Sequence, residues 1–202
     1  MTSAASAPSI RNATTADIPK ISLTLAKAFE DDPVKLFLTG GKPLTPERVT
    51  PFFSAFQTIQ LPHGLVFTTP GYEAASIWAP PGEWKVPFSK ILRFSPRFLK
   101  LYGLRFFPNL QVLTDMEKVH PAEPHYYLEF IGTDPAHQGK GFGSTLMQPM
   151  IDRADAEGVG AYLESSKESN VPFYARFGFE VTRELHHRRN GPTMWLMWRT
   201  PR

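Results

Sequence analysis

The stretch GTDPAHQGKGFGST, residues 132–145, carries glycine at three alternate positions, Gly139, Gly141 and Gly143. It follows the apolar segment 125–131 and precedes a segment with helical spacing. Ordered glycine costs conformational entropy, so a cluster of it is typical of backbone that bends sharply or approaches a ligand. A loop that begins a helix also directs unpaired N–H groups and the positive end of the helix dipole at one point. The stretch therefore predicts a phosphate-binding site.

Two other kinds of phosphate-binding loop are alternative interpretations of this stretch. A P-loop requires glycine where the chain has Asp134 and Ser or Thr where it has Gly141, so that interpretation fails. A dinucleotide fingerprint requires glycine where Ser144 stands, and its first turn would be unusually long here. Glu164 ends the next predicted strand, as a ribose-binding acid would, so the dinucleotide interpretation stays open as a weak one. A glycine-rich turn without a ligand is the third alternative.

The composition is that of an ordinary globular protein with one domain. The chain has 202 residues, of which 42% are hydrophobic and 20% are charged. Its apolar runs are far shorter than the roughly 20 residues that span a bilayer, so we expect no membrane partner. A net charge of +3 is too small to indicate nucleic acid, but it is compatible with a small anionic ligand.

The absence of cysteine and the character of the first residues further narrow the possible classes of protein. The chain has no cysteine, which excludes disulfides, thiolate zinc sites and a cysteine nucleophile. Residues 1–7 lack the basic and apolar regions of a secretory signal, so we expect a disordered leader and a cytoplasmic protein. The turn HHRRNG at 186–191 contains two histidines without a spaced third ligand, which favours a solvated turn over a metal site.

The order of the predicted elements indicates an α/β or α+β domain with a mixed sheet. The amino-terminal half predicts a strand near residues 9–14, a helix from Thr15 or Asp17 to Phe29, a helix from Pro46, and a strand hairpin over 63–79. Residues 80–124 predict an irregular lid of short helices, and the expected breaks are at Pro87, Pro96, Gly103 and Pro108.

Residues from 125 onward follow a regular pattern. A strand, a helix and a strand with short connections predict a parallel crossover, and the last two strands predict an antiparallel hairpin. The predicted elements are the strand 125–133, the glycine loop, the helix 143–157, the strand 160–166, the helix 169–178, the strand 179–186, the turn 188–192 and the strand 193–199.

Two motifs resemble signatures of the GNAT superfamily of acetyl-CoA-dependent N-acetyltransferases. One has the form Gln-x-x-Gly-x-Gly, and the other has the form Asn-x-x-x-Tyr followed by Gly-Phe. Their positions are Gln138, Gly141 and Gly143 for the first motif, and Asn170, Tyr174, Gly178 and Phe179 for the second. The wider resemblance is to the puromycin N-acetyltransferase branch. It covers nearly the whole chain and is weakest in residues 82–123.

This resemblance implies a fold and a domain organisation. We expect a single GNAT domain over residues 1–202, with a central mixed sheet of about seven strands flanked by helices. Two parallel central strands should splay apart. Residues 125–184 would form the acetyl-CoA-binding core, and residues 80–124 a helical lid over the acceptor site.

The resemblance also implies the acyl donor, acetyl-CoA, and no metal. The loop amides would hold its pyrophosphate, Lys140 or Arg176 would assist, and the backbone of the preceding strand would pair with the pantetheine arm. Asn170 would bond a pantetheine amide. The expected coenzyme-binding residues are Phe130, Ile131, Gly132, Thr133, Gln138, Gly139, Lys140, Gly141, Phe142, Gly143, Ser144, Asn170 and Arg176.

Two residues are candidates for catalysis. By the resemblance, Tyr174 would give a proton to the departing thiolate. Glu129 interrupts an apolar strand, on the same side as Ile131 by the period of two. It could accept the proton of the amine, or it could be a paired charge on an exposed face, and the sequence does not separate these alternatives.

The acceptor-side candidates are Phe29, Asp32 and Trp78. Asp32, with Asp31, could attract a cationic acceptor or end the first helix, and the aromatics could line a pocket or belong to the core. The expected activity is transfer of acetyl to a primary amine of a small molecule, with detoxification expected by analogy alone. The alternatives are a protein or peptide N-acetyltransferase and a non-catalytic acyl-CoA sensor. A monomer or a homodimer is expected, without a nucleic-acid partner.

Overall fold

A seven-stranded mixed sheet forms the centre of the computed structural model, which describes residues 9–86, 88–187 and 191–202. The predicted leader and residues 188–190 of the predicted turn lie outside the described residues. The strand order is β1-β2-β3-β4-β5-β7-β6. The strands are β1 (Arg11–Asn12), β2 (Val66–Thr68), β3 (Ala74–Ala79), β4 (His125–Thr133), β5 (Gly160–Ser165), β6 (Glu180–His186) and β7 (Thr193–Arg199).

The two central strands, β4 and β5, are parallel, and the other neighbouring strands are antiparallel. The pairing of β4 with β5 runs from His125 opposite Gly160 to Leu128 opposite Leu163. β4 continues to Thr133 without β5 beside it. The predicted mixed sheet with splayed parallel strands is therefore confirmed.

Helices cover both faces of the sheet. They are α1 (Ile18–Ala28), α2 (Pro33–Leu38), α3 (Pro46–Gln60), α4 (Phe88–Tyr102), α5 (Phe106–Val119), α6 (Phe142–Glu157) and α7 (Val171–Ala175). On one face, α1 and α3 pack on the sheet through a buried cluster that includes Leu25, Phe53 and Ile77. On the other face, Met147 and Met150 of α6 pack in a second cluster. Burial of these apolar side chains is the main stabilising contribution to the fold.

The lid consists of two long helices where shorter ones were predicted. α4 passes through Pro96 without a break, so the break predicted there is wrong. Phe94 and Phe98 flank the proline and pack in a cluster with α3, which offsets the hydrogen bond that proline removes. The chain does turn at Gly103, whose φ is 56°. Pro108 lies in the first turn of α5 and does not break it, and Pro87 lies outside the described residues.

A short helix that the sequence analysis did not predict, α2, follows α1. Asp32 is its N-cap, and its side chain accepts a hydrogen bond of 2.8 Å from the Lys35 amide. Pro33 occupies the first helical position, where its missing N–H costs nothing. Within the described parts of the chain, none of the helices is long and apolar enough to cross a membrane.

Candidate active site

The glycine loop has the backbone conformation that an anion cradle requires. Gly139 and Gly141 have φ values of 78° and 84°, which L side chains rarely adopt. A Cβ atom at either position would meet nothing within 4 Å, so the loop opens onto free space. Phe142 begins α6, whose first turn contains no acidic side chain. The amides of this turn have no partner within the helix and are available to an anion.

Two other glycines of the stretch have packing reasons. A Cβ at Gly132 would lie 2.6 Å from the Cβ of Ala28, so glycine allows α1 to lie close against β4. A Cβ at Gly143 would lie 3.2 Å from Cζ of Phe173, so glycine lets α7 approach the start of α6. The glycines of this stretch therefore have two structural roles. Some adopt a left-handed backbone conformation, and others allow helices to pack closely.

The polar side chains predicted for the coenzyme are exposed around the loop. Gln138 is exposed, and its Nε2 lies 3.4 Å from the carbonyl of Thr133, which ties the loop to the end of β4. Lys140 and Arg176 are exposed cations, and the Arg176 guanidinium lies 5.3 Å from the centre of the Phe173 ring. Asn170 is exposed at the start of α7 and lines the cavity described below.

The separation of β4 from β5 leaves an open strand edge beside the loop. Residues 130–133 of β4 pair with β3 on one side, while β5 has diverged on the other. Backbone groups on such an edge can pair with an extended chain. The edge and the loop together can hold an extended ligand that ends in phosphate groups.

A cavity of about 350 Å³ adjoins this edge. It lies between the sheet, helices α1 to α3 and the two lid helices. Both catalytic candidates, Glu129 and Tyr174, line it, as do the backbone-pairing candidates Phe130 and Ile131. The structure therefore brings the predicted catalytic residues together with the predicted coenzyme-binding residues of β4.

A β-bulge determines the direction of Glu129. Phe130 lies opposite Ile77 and Leu128 lies opposite Trp78, so Glu129 is an extra residue in β4. Glu129 and Phe130 consequently share the face that contacts α3, whereas Ile131 packs in the cluster on the α6 face. The prediction that Glu129 and Ile131 lie on the same side is wrong, because the bulge interrupts the period of two.

The Glu129 carboxyl group is buried and only partly hydrogen-bonded. Gln60 Nε2 of α3 donates to its Oε1 over 2.9 Å, and Oε2 is buried without a partner among the described residues. Burial raises the pKa of Glu129 to about 8. A group with this pKa can accept a proton near neutral pH. The interpretation as a paired charge on an exposed face does not fit this position.

Tyr174 faces the cavity from α7. Its side chain is buried, and Phe173 and Phe179 contact its ring edge-on. Burial, and to a lesser degree the charge of Asp32, raise the pKa of the Tyr174 hydroxyl above its ordinary value. The hydroxyl therefore stays protonated at neutral pH and can donate a proton.

The three acceptor-side candidates are not placed together. Phe29 and Asp32 line the cavity, and Asp32 also caps α2 and accepts a short hydrogen bond from Ser166. Trp78 does not line the cavity. It is fully buried in the cluster under α6, so its assignment to the acceptor site is wrong. Its neighbour Ile77 packs in the cluster on the opposite face, so β3 alternates regularly here, and the period of two does not say which face borders the cavity.

Several residues in or beside the cavity were not assigned to this site from the sequence. Gln60 positions Glu129, and His120 reaches the cavity from the end of α5. Glu164 was considered as a ribose-binding acid, but it lies in the cavity with a side chain that is 2% exposed, which corrects the dinucleotide interpretation. No local motif marks these residues, because each comes from a different segment.

The histidine turn differs from the prediction in part. His186 is exposed, whereas His187 is buried and stacks on Phe37 with ring centres 6.4 Å apart. Within the part of the chain that the structure describes, no group of three or more His, Cys, Asp or Glu side chains could hold a metal ion.

Comparison with known proteins agrees with this geometry. Residues 103–179 match the model of the Acetyltransferase (GNAT) family. An uncharacterized N-acetyltransferase of Schizosaccharomyces pombe is 32% identical over an alignment 186 residues long that covers 86% of this chain and 75% of that protein. The chain belongs to the GNAT acetyltransferase family. It is therefore an acyltransferase of a family that uses acetyl-CoA.

Solved structures show that the GNAT fold extends over nearly the whole chain. A histone acetyltransferase HPA2 and related acetyltransferase from Corynebacterium glutamicum has a TM-score of 0.72 and 24% identity, with 97% of each chain covered. A polyamine N-acetyltransferase of Drosophila melanogaster has a TM-score of 0.63 and 16% identity, with 95% of this chain and 99% of that chain covered. At these identities the likeness shows the fold.

Proposed function

We propose that this GNAT protein transfers the acetyl group of acetyl-CoA directly to a primary amine of a small molecule. The observation that carries the proposal is the cavity of about 350 Å³ that contains Glu129 and Tyr174 and is roofed by α4 and α5. A cavity of this volume is at the lower end of small-ligand sites. A peptide substrate would need an open groove, which the lid helices disfavour.

The residues around the loop fit acetyl-CoA. The amides at the start of α6 would hold the pyrophosphate, with Lys140 and Arg176 as nearby cations. The open edge of β4 would pair with the pantetheine arm through Phe130, Ile131 and Thr133. When bound, acetyl-CoA supplies the activated acetyl group as a thioester.

The two catalytic roles follow from the environments of the side chains. An amine attacks only when it is neutral, and the unpartnered Oε2 of Glu129 would accept its proton, directly or through water. Gln60 holds the other oxygen and so fixes the carboxylate. Tyr174 would protonate the thiolate that leaves. Both groups have pKa values above neutrality, so Tyr174 holds a proton that it can donate, and Glu129 accepts one as the pH approaches its pKa of about 8.

The acceptor class can be narrowed by the family branch. The resemblance to the puromycin branch supports an antibiotic or another xenobiotic amine, and hence a detoxifying role. Phe29 and Asp32 would contact the acceptor. The proposal holds for a monomer as well as for a homodimer.

The test is thiol release from acetyl-CoA by the full chain with panels of small amines and of peptides. Release with small amines is the expected result, and Glu129→Gln assayed in parallel should remove it. Release with peptides alone would overturn the proposal in favour of a peptide N-acetyltransferase. Acetyl-CoA binding by calorimetry with no release by any acceptor would indicate an acyl-CoA sensor.

A further inference from the structure

A second polar corner of the cavity has no part in the transfer proposed above. It is formed by Glu164 of β5, Tyr127 of β4 and His120 after α5, which all line the cavity. The side chains of Glu164 and His120 are 2% and 3% exposed. A carboxylate removed from water this completely is costly unless both of its oxygens are paired.

Only one oxygen of Glu164 has a hydrogen bond. The Tyr127 hydroxyl donates to Oε2 over 2.5 Å. Oε1 is buried and has no hydrogen-bond partner in the described chain. The Tyr162 hydroxyl lies near the Glu164 carboxylate, and burial together with that charge raises its pKa, but no hydrogen bond of normal length joins the two groups. His120 Nδ1 lies 3.6 Å from Oε1, which is beyond hydrogen-bond distance. The corner therefore contains an acceptor atom that needs a donor.

The hydrogen-bond chain behind His120 engages its other ring nitrogen, Nε2. The carbonyl of Glu123 can only accept, so His125 Nδ1 donates to it over 2.6 Å. Burial lowers the pKa of His125, so its Nε2 accepts from His120 Nε2 over 2.9 Å. The remaining nitrogen, Nδ1, faces Glu164 Oε1 over 3.6 Å without a hydrogen bond. Oε1 therefore keeps a lone pair that a ligand N–H group can use.

Aromatic rings fix the position of this corner. The Trp84 indole stacks on the His120 ring with centres 3.7 Å apart and an angle of 18° between the planes. The Tyr162 ring contacts His120 edge-on, with centres 4.8 Å apart. Aromatic surfaces beside a carboxylate favour an organic cation over a hydrated one.

Besides Glu129 and Glu164, Lys35 is a buried ionisable group of the cavity wall whose polar atom lacks a partner among the described residues. It lies on α2, and the charges that act on it are those of Glu30, Asp31 and Asp32. It is therefore associated with the acidic start of α2, and it leaves Oε1 of Glu164 without a cationic partner.

We infer that Glu164 binds a second, protonated nitrogen of the acceptor, so that the substrate class is a diamine or an amine with another cationic group. This inference rests on the proposed function. Glu129 and Glu164 occupy the first positions after Leu128 and Leu163, the last paired residues of β4 and β5. One nitrogen of the acceptor reacts beside Glu129, and the other donates to Oε1 of Glu164. Glu164 is thus a specificity-determining residue.

The test compares α,ω-diamines with n-alkylamines of equal chain length as acceptors, with thiol release as the readout. Because a hydrogen bond to a charged group contributes about 1.5–3 kcal/mol, kcat/KM should be about 10- to 100-fold higher for the best diamine than for its matched monoamine. Glu164→Gln should remove this preference through the KM of the diamine, while transfer to the monoamine is retained. Glu180→Gln, on the exposed face of β6, is the matched control and should keep the preference.

The outcomes separate this inference from the proposed function. Transfer to monoamines and diamines at equal kcat/KM would overturn the inference and leave the proposed function in place. An equal loss with both acceptor types in Glu164→Gln would also overturn it, because that result indicates a structural role. Thermal unfolding of each variant identifies a folding defect, in which case Glu164→Asp, which keeps the charge, must restore the diamine preference. Thiol release with no amine of any kind would overturn the proposed function itself.

Discussion

The end of the cavity proposed for the coenzyme and the end proposed for the acceptor are built from different kinds of groups. The proposed coenzyme end consists of backbone from one continuous segment, residues 130–144, in which Gly139 and Gly141 adopt positive φ. The proposed acceptor end consists of buried side chains from separate segments, such as Glu129, His120 and Glu164. A site made of backbone can be predicted from a short segment of sequence, because glycine is needed at fixed positions. A site made of side chains is assembled only by the fold.

The largest expected effect tests the acceptor end. Glu129→Gln keeps the shape and the contact from Gln60 but removes the proton acceptor, so kcat should fall about 100- to 1000-fold near pH 8. The acetyl-CoA dissociation constant, measured by calorimetry, should not change. Glu180→Gln serves as the control. A variant with wild-type kcat would show that another group accepts the proton.

The next effect concerns the boundary between the two ends. Tyr174→Phe should lower kcat about 100-fold, because the thiolate then leaves without a positioned proton donor. Acetyl-CoA affinity should stay nearly unchanged. Tyr126→Phe removes a hydroxyl that bonds Glu157 away from the cavity and should leave kcat unaltered. If Tyr174→Phe weakens acetyl-CoA binding and leaves kcat unaltered, the tyrosine belongs to the coenzyme end.

The pH dependence should distinguish the two ends as well. The pKa of Glu129 is about 8, raised by burial, so the carboxyl group is protonated and inactive as a base below that pH. The ratio of kcat/KM for the wild type to that for Glu129→Gln should therefore fall about tenfold for each pH unit below the pKa and level off above it. Acetyl-CoA binding should show no matching inflection. A flat ratio across this range would contradict the assignment.

The smallest effect tests the coenzyme end. Gly141→Ala places a Cβ in the left-handed region at a cost of roughly 1–2 kcal/mol, so acetyl-CoA binding should weaken about tenfold if the loop relaxes. Gly158→Ala provides a matched control, because Gly158 ends the same helix with φ of 65° and open space around it. Both variants should lose similar thermal stability. An equal change in acetyl-CoA affinity in the two variants would contradict the proposal that the glycine loop binds the pyrophosphate.

The sequence predicts the coenzyme half of the molecule well for a physical reason. From residue 125 onward the strands alternate or run apolar, the helix begins after the glycine loop, and α6 starts at Phe142, one residue before the predicted position. Periodicity and glycine are local signals, and packing in this half agrees with them. The first motif therefore marks the loop beside the open strand edge, and the second motif marks Tyr174.

The acceptor half depends on packing that the local sequence does not record. α2 has six residues, which is too short to show a period, and α4 continues through Pro96 because its aromatic side chains pack on α3. Glu129 was assigned to a face by strict alternation, which the bulge in β4 interrupts. Trp78 was considered for the pocket as an aromatic residue, and the sequence does not show that its face of β3 packs under α6. His120, which lies 3.6 Å from Glu164, comes from the segment 80–124, and only the folded chain brings the two together.

Because β4 contains an extra residue, the direction of the Glu129 carboxyl group depends on the length of this strand. If one residue were deleted between Tyr126 and Phe130, the remaining alternation would turn the carboxyl group toward the apolar layer under α6. Insertions and deletions in this segment should therefore be tolerated far less than substitutions. An alignment of relatives that moves a gap across the segment would equate Glu129 with a residue of the opposite layer, so the conservation of this glutamate can be judged only with the strand register fixed.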